Sequence, residues 1–180
     1  MNVFLDCTDV VLRPFEERDR AVIAAILGDA DVMRLALDER PLLRAEADAF
    51  IFDHFFLHDR LGLGTVALKS TGDAIGFSGF RGCLYLDAQD IEFGWVLATA
   101  YHGRGIATRL GEGLIARALA DWKCARVLAA CNPLNRASEH VLRDKLQMTF
   151  EREVEPRPGF KRRVYSTAER PMEGHWRSPK

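Results

Sequence analysis

Residues 91–108 read IEFGWVLATAYHGRGIAT, and the reading of this stretch decides how the rest of the chain is arranged. Its opening is rich in strand formers, and side chains alternate along a strand. Ile91, Phe93, Trp95 and Leu97 therefore share one face, and Glu92, Gly94 and Val96 share the other. One face reads as core; the opposite face carries a carboxylate beside a glycine. Beyond Gly105, the residues Ile106, Leu110, Leu114, Ile115, Ala118, Leu119 and Trp122 fall on one helical stripe, which predicts a helix packed on the sheet. The turn between strand and helix holds Gly103 and Gly105 around Arg104. The first turn of a helix leaves N–H groups unpaired and carries the positive end of the dipole, a combination suited to phosphate. Glycines let that backbone come close to a ligand.

The loop taken alone fits several phosphate ligands, and also a tight turn that binds nothing. A P-loop needs GxxxxGK followed by Ser or Thr, which is absent, and a dinucleotide fingerprint needs a third glycine where Thr108 stands. Both are disfavoured.

Working outward, Val10 to Arg13 reads as a strand ended by Pro14, and Glu17 to Leu27 as a helix stopped at Gly28. Leu43 to His58 has helical spacing and is unusually aromatic; it reads as a core-facing stripe, with a substrate-lining wall as the alternative. TVALKS and AIGFSGFRG flank a turn at Thr71 to Asp73 and predict a hairpin. ARVLAAC is a further strand, a helix starts near Asn135, and TFEREVE with KRRVYSTA form a closing pair of strands. This order predicts a mixed α/β (α+β) sheet with helices packed on it, one domain over residues 1–168 and a loosely held tail over 169–180.

A chain of 180 residues with 48% hydrophobic content can bury a sizeable core, and a net charge of -1 gives no global pull toward nucleic acid. The basic run Lys161 to Arg163 reads as the solvated start of a strand. Cys7, Cys83, Cys124 and Cys131 have no metal-ligand spacing and no companion histidine cluster, so neither a metal site nor a disulfide framework is expected. No secretory leader and no membrane span are apparent, and a cytoplasmic protein is the expectation.

The segment HGRGIA resembles the pyrophosphate-binding motif (Q/R)-x-x-G-x-(G/A) of the GNAT superfamily of acyl-CoA-dependent N-acetyltransferases, with Gly105 and Ala107 at its small positions. LRPFEERD, GDAIGFSGF, IEFGWVLATAYHGRGIATRL and NRASEHVL follow in the order seen in the RimJ/RimL-like branch, which includes acetylases of ribosomal-protein N-termini. The resemblance covers about residues 10–168. It implies a GNAT fold of about seven mostly antiparallel strands with a central splay and about four helices. It also implies acetyl-CoA as co-substrate, a primary amine as acceptor, and no metal, nucleic acid or membrane; a homodimer is left open.

The implied site follows residue by residue. The pyrophosphate lies on the amides of Gly103, Arg104, Gly105, Ile106, Ala107 and Thr108, assisted by Arg104 and with His102 contributing its backbone, and the pantetheine arm pairs with the edge at Trp95, Val96 and Leu97, helped by Asn135. Glu92 is the candidate base, acting through water on the acceptor ammonium, and Ser138 the candidate donor to the departing sulfur. For Asn135 and Ser138, helix capping is an equal alternative, and for Glu92 a solvated carboxylate. Tyr101 and His102 rank below Glu92, and a ping-pong route through Cys131 ranks low. A non-catalytic acyl-CoA-binding module is the alternative of a different class.

Three departures stand out. His102 occupies the Q/R position, Leu142 stands where many members carry the tyrosine that protonates the thiolate, and RDKLQM is one residue longer than the usual K-L-G ending, with Gln147 for the glycine. For the acceptor, Asp38, Glu39, Asp87 and Asp90 predict a moderately acidic cleft mouth opposed by Arg34, Arg40 and Arg81. Such a mouth suits a peptide N-terminus, a polyamine, an aminoglycoside or an amino sugar alike.

Overall fold

The computed structural model describes residues 3–57, 61–83 and 90–167. Its strands are β1 (Leu5–Cys7), β2 (Val10–Arg13), β3 (Gly62–Leu68), β4 (Ala74–Gly82), β5 (Ile91–Leu97), β6 (Leu128–Cys131), β7 (Thr149–Arg157) and β8 (Phe160–Ser166). The helices are α1 (Arg20–Leu27), α2 (Ala30–Met33), α3 (Arg44–His54), α4 (Ile106–Ala120) and α5 (Arg136–His140). All eight strands form one sheet in the order β1-β2-β3-β4-β5-β6-β8-β7. Only β5 and β6, joined across α4, run parallel; the other neighbours are antiparallel. The sheet exceeds the expected strand number by β1, and the helices exceed theirs by α2. Both are too short for periodicity to register. The tail over 169–180 lies outside the described residues.

Hydrophobic packing covers both faces of the sheet. Ile106, Leu110, Leu114 and Ala118 of α4 join Phe80, Ile91, Phe93 and Leu97 on one face, as the stripe predicts. On the other face, Ile23 and Leu27 of α1, Met33, and Ala47 and Ile51 of α3 pack with Phe77 and Val96. The face of β5 bearing Glu92, Gly94 and Val96 is therefore not an open one: Glu92 and Val96 are buried and Gly94 alone is exposed. The aromatic helix divides between the two roles. The helix ends at His54, short of the expected His58; Ala47 and Ile51 enter the core, while Phe50, and Phe56 beyond the helix end, line a cavity.

The LRPFEERD segment has a structural explanation. Arg13 and Asp19, exposed by 1% and 2%, form a bidentate pair at 2.7 and 2.8 Å. Thr65 Oγ1 and the Glu16 N–H also donate to Asp19 Oδ2, each at 2.9 Å. Burial acts to raise the Asp19 carboxyl, but these donors outweigh it and hold it below the usual carboxylate range. The pair pins the entry to α1 onto β2 and β3.

The long RDKLQM ending is absorbed locally. Val141–Lys145 is a π-helical turn in which the Leu146 N–H reaches the Val141 carbonyl at 2.9 Å, so the wider turn takes up the extra residue. Gln147 then adopts φ +54, the left-handed conformation a glycine would favour, and its Nε2 donates to the Asp144 carbonyl at 2.8 Å.

Candidate active site

The site begins where β5 and β6 part. Their parallel pairing is anchored at Glu92 opposite Leu128, and beyond it the strands diverge toward their C-terminal ends. The ladder fixes which backbone groups face this gap. The Ala98 N–H donates to the Ile75 carbonyl and the Cys83 N–H to the Asp90 carbonyl, each at 2.9 Å, with unbroken register between. Even-numbered residues of β5 therefore bond to β4, and odd-numbered ones face β6. Thr167 N–H to Val127 carbonyl, at 3.0 Å, fixes β6 likewise, so that Val127, Ala129 and Cys131 face β8 and Ala130 faces the gap. The exposed edge thus consists of Trp95 and Leu97 on one bank and Ala130 on the other. Val96, expected on this edge, turns its backbone to β4 instead. The Leu97 carbonyl is also engaged, by His102 Nε2 at 2.9 Å. His102 thereby ties the loop to the strand end.

The loop itself stands at the C-terminal end of β5. Gly103 and Gly105 have φ +70 and +71, and a Cβ on Gly103 would meet nothing within 4 Å. Gly105 is the N-cap of α4, whose ladder opens with the Arg109 N–H bonding the Gly105 carbonyl at 3.2 Å. The N–H groups of Ile106, Ala107 and Thr108 precede that first bond and point out of the helix end. Ile106 has its side chain in the core, so it offers the loop only backbone. Arg104 lies over the Tyr101 ring at 5.0 Å. This cradle of N–H groups around two bare glycines fits an anion such as a pyrophosphate.

A cavity of about 760 Å³ opens at the splay. Glu92, Gly94, Trp95 and Val96 line it from β5, and Ala129, Ala130 and Cys131 from β6; the loop residues 102–108 lie outside it. Gly94 sits opposite Gly79, and Gly79 opposite Leu63, so the floor is bare backbone across two strands. A Cβ on Gly94 would enter open space. Glu92, the next residue on that face, is 3% exposed and ion-paired with Arg81, its cross-strand neighbour. The carboxylate is therefore buried at the cavity rather than solvated.

Asn135, Ser138 and Leu142 line the wall opposite. Asn135 Oδ1 accepts the Ser138 N–H at 3.0 Å and caps α5, so the capping role is realised while both side chains face the cavity. Leu142 is 1% exposed and holds the tyrosine position with an alkyl group. Cys131 is buried; burial first, and the Glu139 carboxylate second, push its thiol up to about 11.

The acidic mouth takes a different form from the expected one. Asp38 accepts from Arg157 Nη2 at 2.8 Å. Glu39 pairs with Arg162 and accepts from Asn132 Nδ2 at 2.6 Å, while Arg162 Nη2 donates to the Leu37 carbonyl at 2.6 Å. Asp90 pairs with Arg126 at 2.6 Å; Asp87 lies outside the described residues. All three are neutralised by arginines, and Asp38 and Glu39 form a strap that holds segment 37–39 to the β7–β8 hairpin and the end of β6. Arg162, expected to be solvated, is buried. Sequence reasoning placed Arg81 at the mouth and Arg162 in a solvated run but missed the carboxylate that each one pairs with at the cavity. Arg81 was recoverable from the hairpin register, but no local signal marks a pairing between residues 39 and 162.

The four cysteines are free, and among the described residues no group of three or more His, Cys, Asp or Glu could hold a metal ion. No helix of the described residues is long and apolar enough to cross a membrane.

Residues 9–146 match the family described as "Acetyltransferase (GNAT) domain". Among solved structures, the fold is similar to a GNAT-family acetyltransferase from Bacillus anthracis, with TM-score 0.77, 21% identity, and coverage of 91% of this chain and 97% of that one. It is also similar to the RimL ribosomal L7/L12 alpha-N-protein acetyltransferase in complex with coenzyme A, at TM-score 0.74 and 16% identity over 93% and 98% of the two chains. A ribosomal-protein-S5-alanine acetyltransferase from Vibrio fischeri matches at TM-score 0.71 and 17% identity over 96% and 100%. At these identities the structures speak for the fold.

Proposed function

The chain belongs to the GNAT acetyltransferase family, and from that premise we propose that it transfers acetyl from acetyl-CoA directly to a primary amine held over Gly94 beside Glu92. The observation that carries the reading is the meeting of two features in one cavity: a splayed strand edge with free backbone groups, and a bare glycine floor with a buried carboxylate.

The pyrophosphate of acetyl-CoA rests on the N–H groups of Gly103 to Thr108, with Arg104 beside it. Its pantetheine amides pair with Trp95, Leu97 and Ala130, whose groups face the gap, and Val96 contributes side-chain surface. Asn135 steadies the arm from the α5 side. An alkyl ammonium must lose a proton before attack, and Glu92 takes it directly or through a water. The amine nitrogen then bonds the thioester carbonyl carbon, the C–S bond breaks with the sulfur taking the electron pair, and the now cationic nitrogen gives up its extra proton to water. Ser138 donates a hydrogen bond to that sulfur and water supplies its proton, because Leu142 has none to give. The raised Cys131 thiol supports direct attack over a cysteine-borne acetyl group. The acceptor is a primary amine, whether a peptide α-amine or a small molecule.

Glu92→Gln tests the base. The rate of acetyl transfer should fall ~10²-fold or more, acetyl-CoA affinity should stay within a few-fold, and the deficit should shrink at high pH where free amine is abundant. An unchanged rate would remove Glu92 from the chemistry.

A further inference from the structure

Among the described residues, the acceptor end of the cavity is aromatic and carries no spare negative charge. Phe50 lines it from α3, Phe56 from the segment just beyond that helix, Phe77 from the sheet, and Phe160 from the hairpin. Phe56 is 47% exposed and turns part of its ring to the cavity. Phe160 lies between two guanidinium groups, Arg157 at 4.1 Å and Arg162 at 3.7 Å from its ring. Among the described residues, the ionisable groups of the lining other than the Cys131 thiol are Asp38, His54, Arg81, Glu92, Arg157 and Arg162. Each carboxylate there is matched: Asp38 with Arg157 and Glu92 with Arg81, while Arg162 is matched by Glu39. A second or third ammonium would be desolvated against aromatic walls, with no carboxylate among the described residues left to receive it. An apolar group of aromatic size would instead cover the bare floor at Gly79 and Gly94 and stack against Phe50 and Phe56.

Building on the acetyl-transfer reading, we propose that the acceptor is a monocationic primary amine bearing an aromatic-sized apolar group. An arylalkylamine and a peptide whose first residue is Phe or Trp share this chemistry. Polyamines and aminoglycosides do not.

The test compares tryptamine, phenethylamine, a peptide beginning with Phe, a peptide beginning with Ser, spermidine and kanamycin. Acetyl transfer is read as released thiol, and binding of each amine to the CoA-loaded protein is read by calorimetry. The expected result is a kcat/KM for aromatic acceptors ~10-fold or more above that for spermidine and kanamycin, with the better of tryptamine and the Phe peptide identifying the source. Phe56→Ala should erode that advantage several-fold, lowering kcat/KM for the aromatic acceptors more than for spermidine. Preference for spermidine or kanamycin, or a Ser peptide equal to the Phe peptide and to tryptamine, overturns the inference while leaving acetyl transfer intact. If no amine is acetylated, acetyl transfer itself fails, and the calorimetric order of the amines still decides the inference: tighter aromatic binding upholds it, equal or weaker binding overturns it.

Discussion

The cofactor bank and the acceptor groove are built in opposite ways. One continuous segment, Ile91 to Thr108, supplies the β5 edge, the His102 tie and the glycine cradle. The groove draws on the loop after α2, the end of α3, strands β3 to β5, the end of β6 and the β7–β8 hairpin. The first is held by backbone geometry and neighbouring residues. The second is held by charges far apart in sequence, with Glu39 and Asp38 reaching Arg162 and Arg157. The difference teaches that damage to the cofactor bank should stay local and damage to the strap should be felt mainly by the acceptor.

The sharpest way to break that comparison is Gly105→Val. At φ +71 a β-branched residue is strained by about 1–3 kcal/mol, and relief displaces the N–H groups that define the cradle. Acetyl-CoA affinity should fall ~100-fold or more, the loss of several charge-assisted hydrogen bonds, while helical circular dichroism is preserved. Calorimetric titration with unchanged affinity would detach the loop from the site.

Glu39→Gln should have the next largest effect. Arg162 is 5% exposed, and taking away its carboxylate leaves a buried cation short of a counter-charge, at a cost of about 1–3 kcal/mol given that Glu39 is itself partly solvated. The acceptor KM should rise several-fold with acetyl-CoA affinity little altered. An equal loss on both sides would mean that the two banks are one cooperative unit.

The strap should also show itself in pH dependence. Burial works to raise the Glu39 carboxyl, but hydrogen bonds from Arg162 and Asn132 outweigh it and hold it below its ordinary value of 4.5. A depressed carboxyl contributes stability that is fully present above that ordinary value and is lost as pH falls through the lower folded one. The Tm difference between wild type and Glu39→Gln should therefore be widest near neutrality and narrow below about pH 4.5. A difference that does not change with pH would show that the pair contributes by packing alone.

Smallest is Gln147→Gly, remote from both banks. Relieving φ +54 should stabilise the chain by about 0.5–1 kcal/mol, partly offset by loss of the bond to the Asp144 carbonyl. Turnover should not change, and a change in acceptor KM would show that the π-turn transmits strain to Leu142.

The sequence by itself determined what depends on short-range periodicity and conformation. Alternation placed β5, the helical stripe placed α4, and Gly103 with Gly105 marked a backbone that takes positive φ. The ordered motifs pointed to the family, and residues 9–146 match it. Even within β5, though, alternation could not tell which backbone groups face β6, because that parity depends on the β4 register; Val96 fell on the wrong edge for this reason. The second core over Val96, the burial of Glu92 against Arg81, and the turning of Asp38, Glu39 and Arg162 from an expected acidic mouth and a solvated basic run into a neutral strap belong to the tertiary structure. Each depends on two residues brought together across many others by the sheet order. A charged side chain reads as solvated until the opposite charge that neutralises it has been put beside it.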